Sequence, residues 1–175
     1  MRILFTEENI RRRVDAMAAL IAKDIRDAGG PAPIAAPVLT GALFFGADLV
    51  RALHRHGCDL LVDCVQLGSY GGARASSGVV KLLKDFTVDL SGRDVLLIDD
   101  VLDTGRSLHF GKAMVLERGA RRALTAVLVR KATGRSEDIS PDYVGFEAGA
   151  NDFLVGYGMD EAGLGRGAPA IFAAD

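Results

Sequence analysis

Apolar residues recur along this chain in two rhythms. Ile10, Val14, Met17, Ile21 and Ile25 fall three and four apart, which predicts one long amphipathic helix. Thr6 stands before it as an N-cap, and Glu7 and Glu8 occupy the first turn, where negative charge is favoured. Arg11, Arg12 and Lys23 fall mainly elsewhere on the helical wheel, as a solvated face. Gly29-Gly30-Pro31 ends the element. The second rhythm is continuous. Ile34 to Leu39 (despite Pro37), Leu60 to Val65, Val95 to Ile98 and Leu124 to Val129 are unbroken apolar runs, the pattern of strands buried on both faces. Val79 to Leu83 is a further strand. Helical spacing returns between them, at Phe45, Leu49 and Leu53 and again at Leu108 and Val115, with Gly119 ending the latter helix. Strands alternating with helices predict an α/β fold with a mainly parallel twisted sheet, flanked by helices and joined by right-handed crossovers.

Length and composition narrow the class. The chain has 175 residues, 49% hydrophobic and 25% charged, enough for a single domain (1–175) with a real core. A net charge of -2 argues against non-specific binding to nucleic acid or to an anionic membrane. No apolar run reaches the ~20 residues that span a bilayer. The first residues turn acidic after three apolar ones and lack a signal-peptide core, so a cytoplasmic protein is expected. Cys58 and Cys64 make no disulfide framework, and with His54 and His56 they match no standard zinc spacing.

The chemistry concentrates where Val95-Leu96-Leu97-Ile98 runs into Asp99-Asp100-Val101-Leu102-Asp103-Thr104-Gly105-Arg106-Ser107. These polar groups lie at the carboxyl end of a strand, the edge at which open α/β sheets bind ligands. Thr104, Gly105, Arg106 and Ser107 offer hydroxyls, a guanidinium and backbone N–H groups at a helix start, a cradle for phosphate. Asp99 and Asp100 beside an anion suit Mg²⁺ or sugar hydroxyls, since Mg²⁺ commonly takes one or two carboxylates plus substrate phosphates. Asp103 suits a general base or an orienting acceptor; the plainer alternative is that Asp103 or Thr104 merely caps the helix.

Three other stretches carry lesser signals. Thr40-Gly41-Ala42 follows a strand and opens a helix, so it reads either as a second anion-facing turn or as an ordinary tight connection. Residues 66–78 hold four glycines and three serines in thirteen positions, too little to fix a fold unaided. A long loop of that kind within one domain reads as a lid more often than as a linker. Arg130 and Lys131 close a strand, as functional cations or as solvated charge.

The Asp-Asp-x-x-Asp-Thr-Gly-x-Ser run after an apolar strand resembles the phosphoribosyl pyrophosphate (PRPP) signature of type I phosphoribosyltransferases. Within that group the chain is similar to hypoxanthine-guanine phosphoribosyltransferases, on motif positions from about Ile34 to Arg166. The resemblance implies the type I phosphoribosyltransferase fold with a small C-terminal hood, residues 141–175 forming most of the purine-binding part. It implies purine salvage: transfer of 5-phosphoribosyl from PRPP to hypoxanthine or guanine, giving IMP or GMP plus pyrophosphate, with Mg²⁺. It implies that Asp103 is catalytic at N7 of the base, and that Asp99, Asp100, Thr104, Gly105, Arg106 and Ser107 bind PRPP and the 5′-phosphate. Thr40, Gly41 and Arg166 would bind pyrophosphate, in a turn that carries an unusual cis peptide in the family; Thr40 stands where the family usually has lysine. Lys131, closing Leu128-Val129-Arg130-Lys131, would donate to the six-position oxygen and select against adenine. Phe153 would stack on the base, Leu154 would offer backbone groups to its edge, and Asp160 would sit near the Mg²⁺–pyrophosphate, so that Asp99, Asp100 and Asp160 are the metal candidates. Ser69 and Tyr70 match the pair that closes the family's mobile loop, here 66–78. The family's usual homodimer or homotetramer is expected.

The segment Ala148-Gly149-Ala150-Asn151-Asp152 is one residue longer than the family's turn, and Gly163-Leu164-Gly165 replaces bulkier residues. Two readings compete with the enzyme. One is a PRPP- or nucleotide-sensing regulator of the same fold, against which the acidic balance and Asp103 weigh. The other is a phospho-accepting receiver domain, whose acids would lie on separate strand ends.

Overall fold

A computed structural model of the chain describes residues 1–69, 80–133 and 139–174. Helix α1 (Glu7–Ala28) opens at Thr6, whose hydroxyl accepts from the Asn9 N–H at 3.2 Å while the Asn9 side chain accepts from the Thr6 N–H. All five residues of its predicted apolar face are buried. Strand β2 (Ile34–Leu39) leads into helix α2 (Leu43–Arg55), and strand β6 (Asp94–Leu102) into helix α3 (Arg106–Glu117). Strands β3 (Leu61–Val62), β4 (Val65–Ser69), β5 (Val80–Lys84), β7 (Arg122–Lys131) and β8 (Tyr143–Ala148) complete the larger sheet, ordered β5-β4-β2-β6-β7-β8 with β3 also paired to β2. Every pairing in it is parallel except β4 with β5.

Helices cover both faces of this sheet, which is why its central strands are apolar throughout. Leu96 and Ile98 of β6 pack with Ile21 of α1 and Phe45 and Leu49 of α2, while Val95 and Leu97 pack with Leu108 and Val115 of α3. Pro37 is tolerated in a central strand because of where it sits. It falls between Ala35, the last partner of β3, and Val38, the first partner of β4, so its missing N–H meets a break in the ladder.

One expectation is corrected. The run Leu60 to Val65 is not one strand, because Asp63 turns its carboxylate inward and divides β3 from β4. That carboxylate accepts from the N–H groups of Cys64, Thr87 and Val88, from the Thr87 hydroxyl and from the Lys84 ammonium. The small sheet draws mainly on the C-terminal part of the chain, joined by the N-terminal strand. β8 belongs to the larger sheet, in parallel register with β7, and the small sheet is β1 (Arg2–Phe5), β10 (Ile171–Ala174) and β9 (Phe153–Val155) in that order. The N-terminal strand is recruited because β10 needs a second partner; Arg2 and Ile3 face Ala173 and Phe172 in antiparallel register.

Candidate active site

The carboxyl edge of the parallel strands gathers most of the predicted residues. Strand β6 runs through its two acids, with Asp99 opposite Val127 of β7. Asp99 is buried and Asp100 half-buried. Each accepts one backbone N–H, Asp99 from Asp100 at 3.1 Å and Asp100 from Val101 at 2.9 Å. Burial, and then the neighbouring Asp100 charge, pushes the Asp99 carboxyl well above the usual range. Burial raises Asp100 too, with the Val101 N–H and the Arg166 charge among the opposing influences. Two crowded carboxylates are therefore held where charge is costly unless a ligand offsets it.

Asp100 faces the turn that opens α2. A Cβ on Gly41 would lie 2.1 Å from an Asp100 carboxylate oxygen, so only glycine fits between that acid and the turn. The peptide bond Leu39–Thr40 is cis. On the other side of the turn, a Cβ on Gly158 would lie 2.1 Å from the Gly41 carbonyl oxygen. Gly158 also donates its N–H to the Arg166 carbonyl at 2.9 Å and accepts from the Arg166 guanidinium, which pairs with Asp160 at 2.6 Å. Asp160 in turn accepts the Gly163 N–H. Thr40, Gly41, Asp100, Asp160 and Arg166 thus form one neighbourhood. Gly158, marked along the chain only by its place in a Gly-Tyr-Gly turn, is the piece that joins them.

A second neighbourhood lies at the ends of β6 and β7. The Lys131 ammonium, 14% exposed, stands 3.8 Å from the half-exposed Asp103 carboxylate, and the Thr133 hydroxyl donates to the Asp103 carbonyl at 3.2 Å. Gly105, at φ +79°, turns the chain into α3. Neither Asp103 nor Thr104 caps that helix, so the capping alternative fails. The contrast with α1 is informative. That helix has a side-chain cap and two acids in its first turn, whereas α2 and α3 have neither. Neither helix that starts at this edge has a side-chain cap or an acid in its own first turn to answer its positive dipole end.

Phe153 and Leu154 sit apart from both groups, on β9. Phe153 is half-exposed, and Leu154 is buried with Val129 and Ala148 in the main core. The Ala148–Asp152 turn is closed by the Asp152 carboxylate, which accepts the Gly149 N–H at 2.7 Å. Ser69 ends β4 opposite Val80. Tyr70 and the rest of the predicted lid lie outside the described residues. A cavity of 620 Å³ between α1, α2 and Gly167–Pro169 holds none of the predicted residues.

The donor set fits Mg²⁺ in one way. Carboxylate oxygens are the hard ligands it prefers, and the Asp99–Asp100 pair has charge to offset. Among the described residues no three acids, histidines or cysteines converge as a closed metal cage. A cation here would complete its shell with substrate oxygens.

This fold, with clustered acids and two uncapped helix starts on one sheet edge, defines a phosphoribosyltransferase of type I. The model of the phosphoribosyl transferase domain family matches residues 7–162. The hypoxanthine-guanine phosphoribosyltransferase of Bacillus subtilis (strain 168) is 36% identical over 170 residues, 97% of this chain and 91% of that protein. The enzyme of the same name from Aquifex aeolicus (strain VF5) is 38% identical over 174 residues, 98% and 93% respectively. The hypoxanthine phosphoribosyltransferase of Trypanosoma cruzi, solved as a variant complexed with the product IMP, superposes with a TM-score of 0.92 at 34% identity, covering 100% of this chain and 91% of that one. The chain belongs to the phosphoribosyl transferase domain family and, within it, to the hypoxanthine-guanine phosphoribosyltransferases.

Proposed function

We propose that this protein is a purine-salvage enzyme that moves the 5-phosphoribosyl group of PRPP onto N9 of hypoxanthine or guanine. The bond from C1′ to pyrophosphate breaks, the bond from C1′ to N9 forms, and the base gives up a proton. The observation that carries the reading is the meeting of Lys131 and Asp103, 3.8 Å apart, beside the uncapped start of α3. A 6-oxopurine presents its six-position oxygen and N7 side by side on one edge. Lys131 donates to that oxygen, and Asp103 takes or holds the proton at N7. Adenine would bring an amino group against the ammonium.

The other residues position and stabilise. Thr104, Gly105, Arg106 and Ser107 hold the 5′-phosphate at the helix start. Thr40 and Gly41 present backbone groups to pyrophosphate, and Arg166 clamps it. Phe153 stacks on the base and Leu154 reads its edge through the backbone. Asp99 and Asp100 address the ribose hydroxyls and, with Asp160, the Mg²⁺ that accompanies PRPP; when bound, that ion supplies positive charge against the departing pyrophosphate. Ser69 and Tyr70 close over the reacting centre, where exclusion of water protects an oxocarbenium-like transition state. Much of the catalysis is positioning and electrostatics.

A spectrophotometric assay with PRPP and Mg²⁺, offering hypoxanthine, guanine, xanthine and adenine in parallel, tests the proposal. Turnover of 6-oxopurines without adenine is the expected result. Silence with all four, with PRPP or nucleotide still bound, would overturn the salvage reading and favour a ligand-sensing regulator.

A further inference from the structure

Strand β9, which carries Phe153 and Leu154, runs straight into Gly156-Tyr157-Gly158, and this turn touches the pyrophosphate side of the site twice. Gly158 lies bare against the Gly41 carbonyl, as described above. Tyr157 reaches further. The residue is 8% exposed, and its backbone sits at φ +48°, a region that L residues rarely adopt. Its N–H donates to the Ala168 carbonyl at 2.8 Å, and its hydroxyl donates to the Asp48 carboxylate at 2.7 Å. Asp48 belongs to α2, the helix that begins directly after the Thr40–Ala42 turn, and among the described residues it also pairs with the exposed Arg51 at 3.3 Å. The bond therefore runs from the base-binding strand to the helix that carries the pyrophosphate turn.

We infer that the Tyr157–Asp48 hydrogen bond is a positioning device that fixes α2, and with it the backbone of Thr40 and Gly41, at the spacing from β9 that pyrophosphate needs. The inference rests on the functional reading above and assigns two residues that contact no reacting atom. Two features of this chain give the device weight. Threonine at position 40 brings no charge to the turn, so binding there depends on where the backbone N–H groups lie. The start of α2 has no side-chain cap to stiffen it. Burial and the Asp48 carboxylate both push the Tyr157 hydroxyl far above its ordinary range, so it stays a donor at any working pH. A short bond from a buried donor to a charged acceptor is the kind whose loss is felt.

The test uses the full chain with Tyr157→Phe, which keeps the ring and removes the donor, together with Asp48→Ala, Asp48→Asn and the Tyr157→Phe/Asp48→Ala double variant. Tyr157→Phe is expected to raise KM for PRPP, and for pyrophosphate in the reverse reaction, by ~10-fold, the loss of one charge-assisted bond. KM for the purine should stay within about twofold. Asp48→Ala should match it, the double variant should be no worse than either, and Asp48→Asn, which keeps an acceptor for the hydroxyl, should restore binding. Hydrogen exchange over residues 39–46 should rise in Tyr157→Phe and return in Asp48→Asn. An unchanged KM for PRPP, an equal rise in purine KM, or additive single effects would overturn the inference. Absence of turnover in the unsubstituted protein would instead strike at the proposed function, and the hydrogen-exchange comparison would still decide the linkage.

Discussion

At the scale of single residues, the site is a set of charges that each need a reason to be where they are. Lys131 is nearly buried, and an ammonium removed from water must be matched. Asp103, 3.8 Å away, matches it and at the same time stands half-exposed at the mouth of the site. A residue of that exposure contributes little to stability but much to a proton transfer. Asp103→Asn, which keeps an acceptor for the Lys131 ammonium, should therefore melt within about 2 °C of the unsubstituted protein, while turnover falls by ~10²–10⁴. Near-normal turnover would remove Asp103 from the mechanism, and a large drop in melting temperature would make it a structural acid. The Asp-Asp-x-x-Asp-Thr-Gly run was legible in the sequence because its members are neighbours in the chain and their spacing is itself the geometry. Gly158, Tyr157 and Asp48 were not, because their meaning lies in contacts across more than a hundred residues, and Gly41 was legible only as an anion-facing turn, without its fit against Asp100. A glycine that leaves room for an aspartate reads in the sequence like any turn glycine.

At the scale of elements, continuous apolar runs made β2, β6 and β7 readable, and helical spacing did the same for α1. The exceptions have one physical cause each. Pairing partners far away in the chain recruited β1, and a buried carboxylate split the run from Leu60 to Val65. Asp63 gathers five donors, from Cys64 just before β4, from Lys84 of β5 and from the turn after it, and so ties down the base of the hairpin that leads to the predicted lid. Burial opposes the Asp63 charge, but the N–H groups of Thr87 and Cys64, the Lys84 ammonium and the Thr87 hydroxyl outweigh it and hold the carboxyl well below its ordinary range. A depressed folded-state pKa contributes stability that is complete above the unfolded value of about 3.9 and is lost as pH falls below it. Asp63→Asn should cost about 2–4 kcal/mol at pH 7, since it leaves buried donors partly unmet. In melting temperature that is ~5–15 °C for a chain of this length. The gap between the two proteins should narrow as pH drops below about 4. A gap of equal size at pH 3 and pH 7 would show that shape rather than charge does the anchoring.

At the scale of the whole molecule, the balance of charge at the sheet edge decides what the protein can hold. Asp103 is matched by Lys131 and Asp160 by Arg166. That leaves the Asp99–Asp100 pair, where burial outweighs the Asp99–Asp100 hydrogen bond, the Val101 N–H and the longer-range Arg166 charge that relieve Asp100. The chain as a whole carries a formal charge of -2 and offers no broad field to compensate. A substrate rich in phosphate would meet repulsion from this pair even while the starts of α2 and α3 attract it. A divalent cation resolves the conflict, since it can touch both sets of oxygens at once. Substrate affinity should therefore depend on Mg²⁺ as a property of the assembled edge rather than of any one residue. With Mg²⁺ and PRPP at a hundred times its Kd, binding to the folded state alone adds about 2.7 kcal/mol, which raises the melting temperature by ~5–10 °C for a chain of this size. With EDTA in place of Mg²⁺ the same PRPP concentration should shift it by less than about 2 °C. Asp99→Asn/Asp100→Asn removes the repulsion and the metal's ligands together, so PRPP should shift its melting temperature equally with and without Mg²⁺. If the unsubstituted protein already behaves that way, the pair serves the ribose hydroxyls alone, and the cation must be sought elsewhere on the edge.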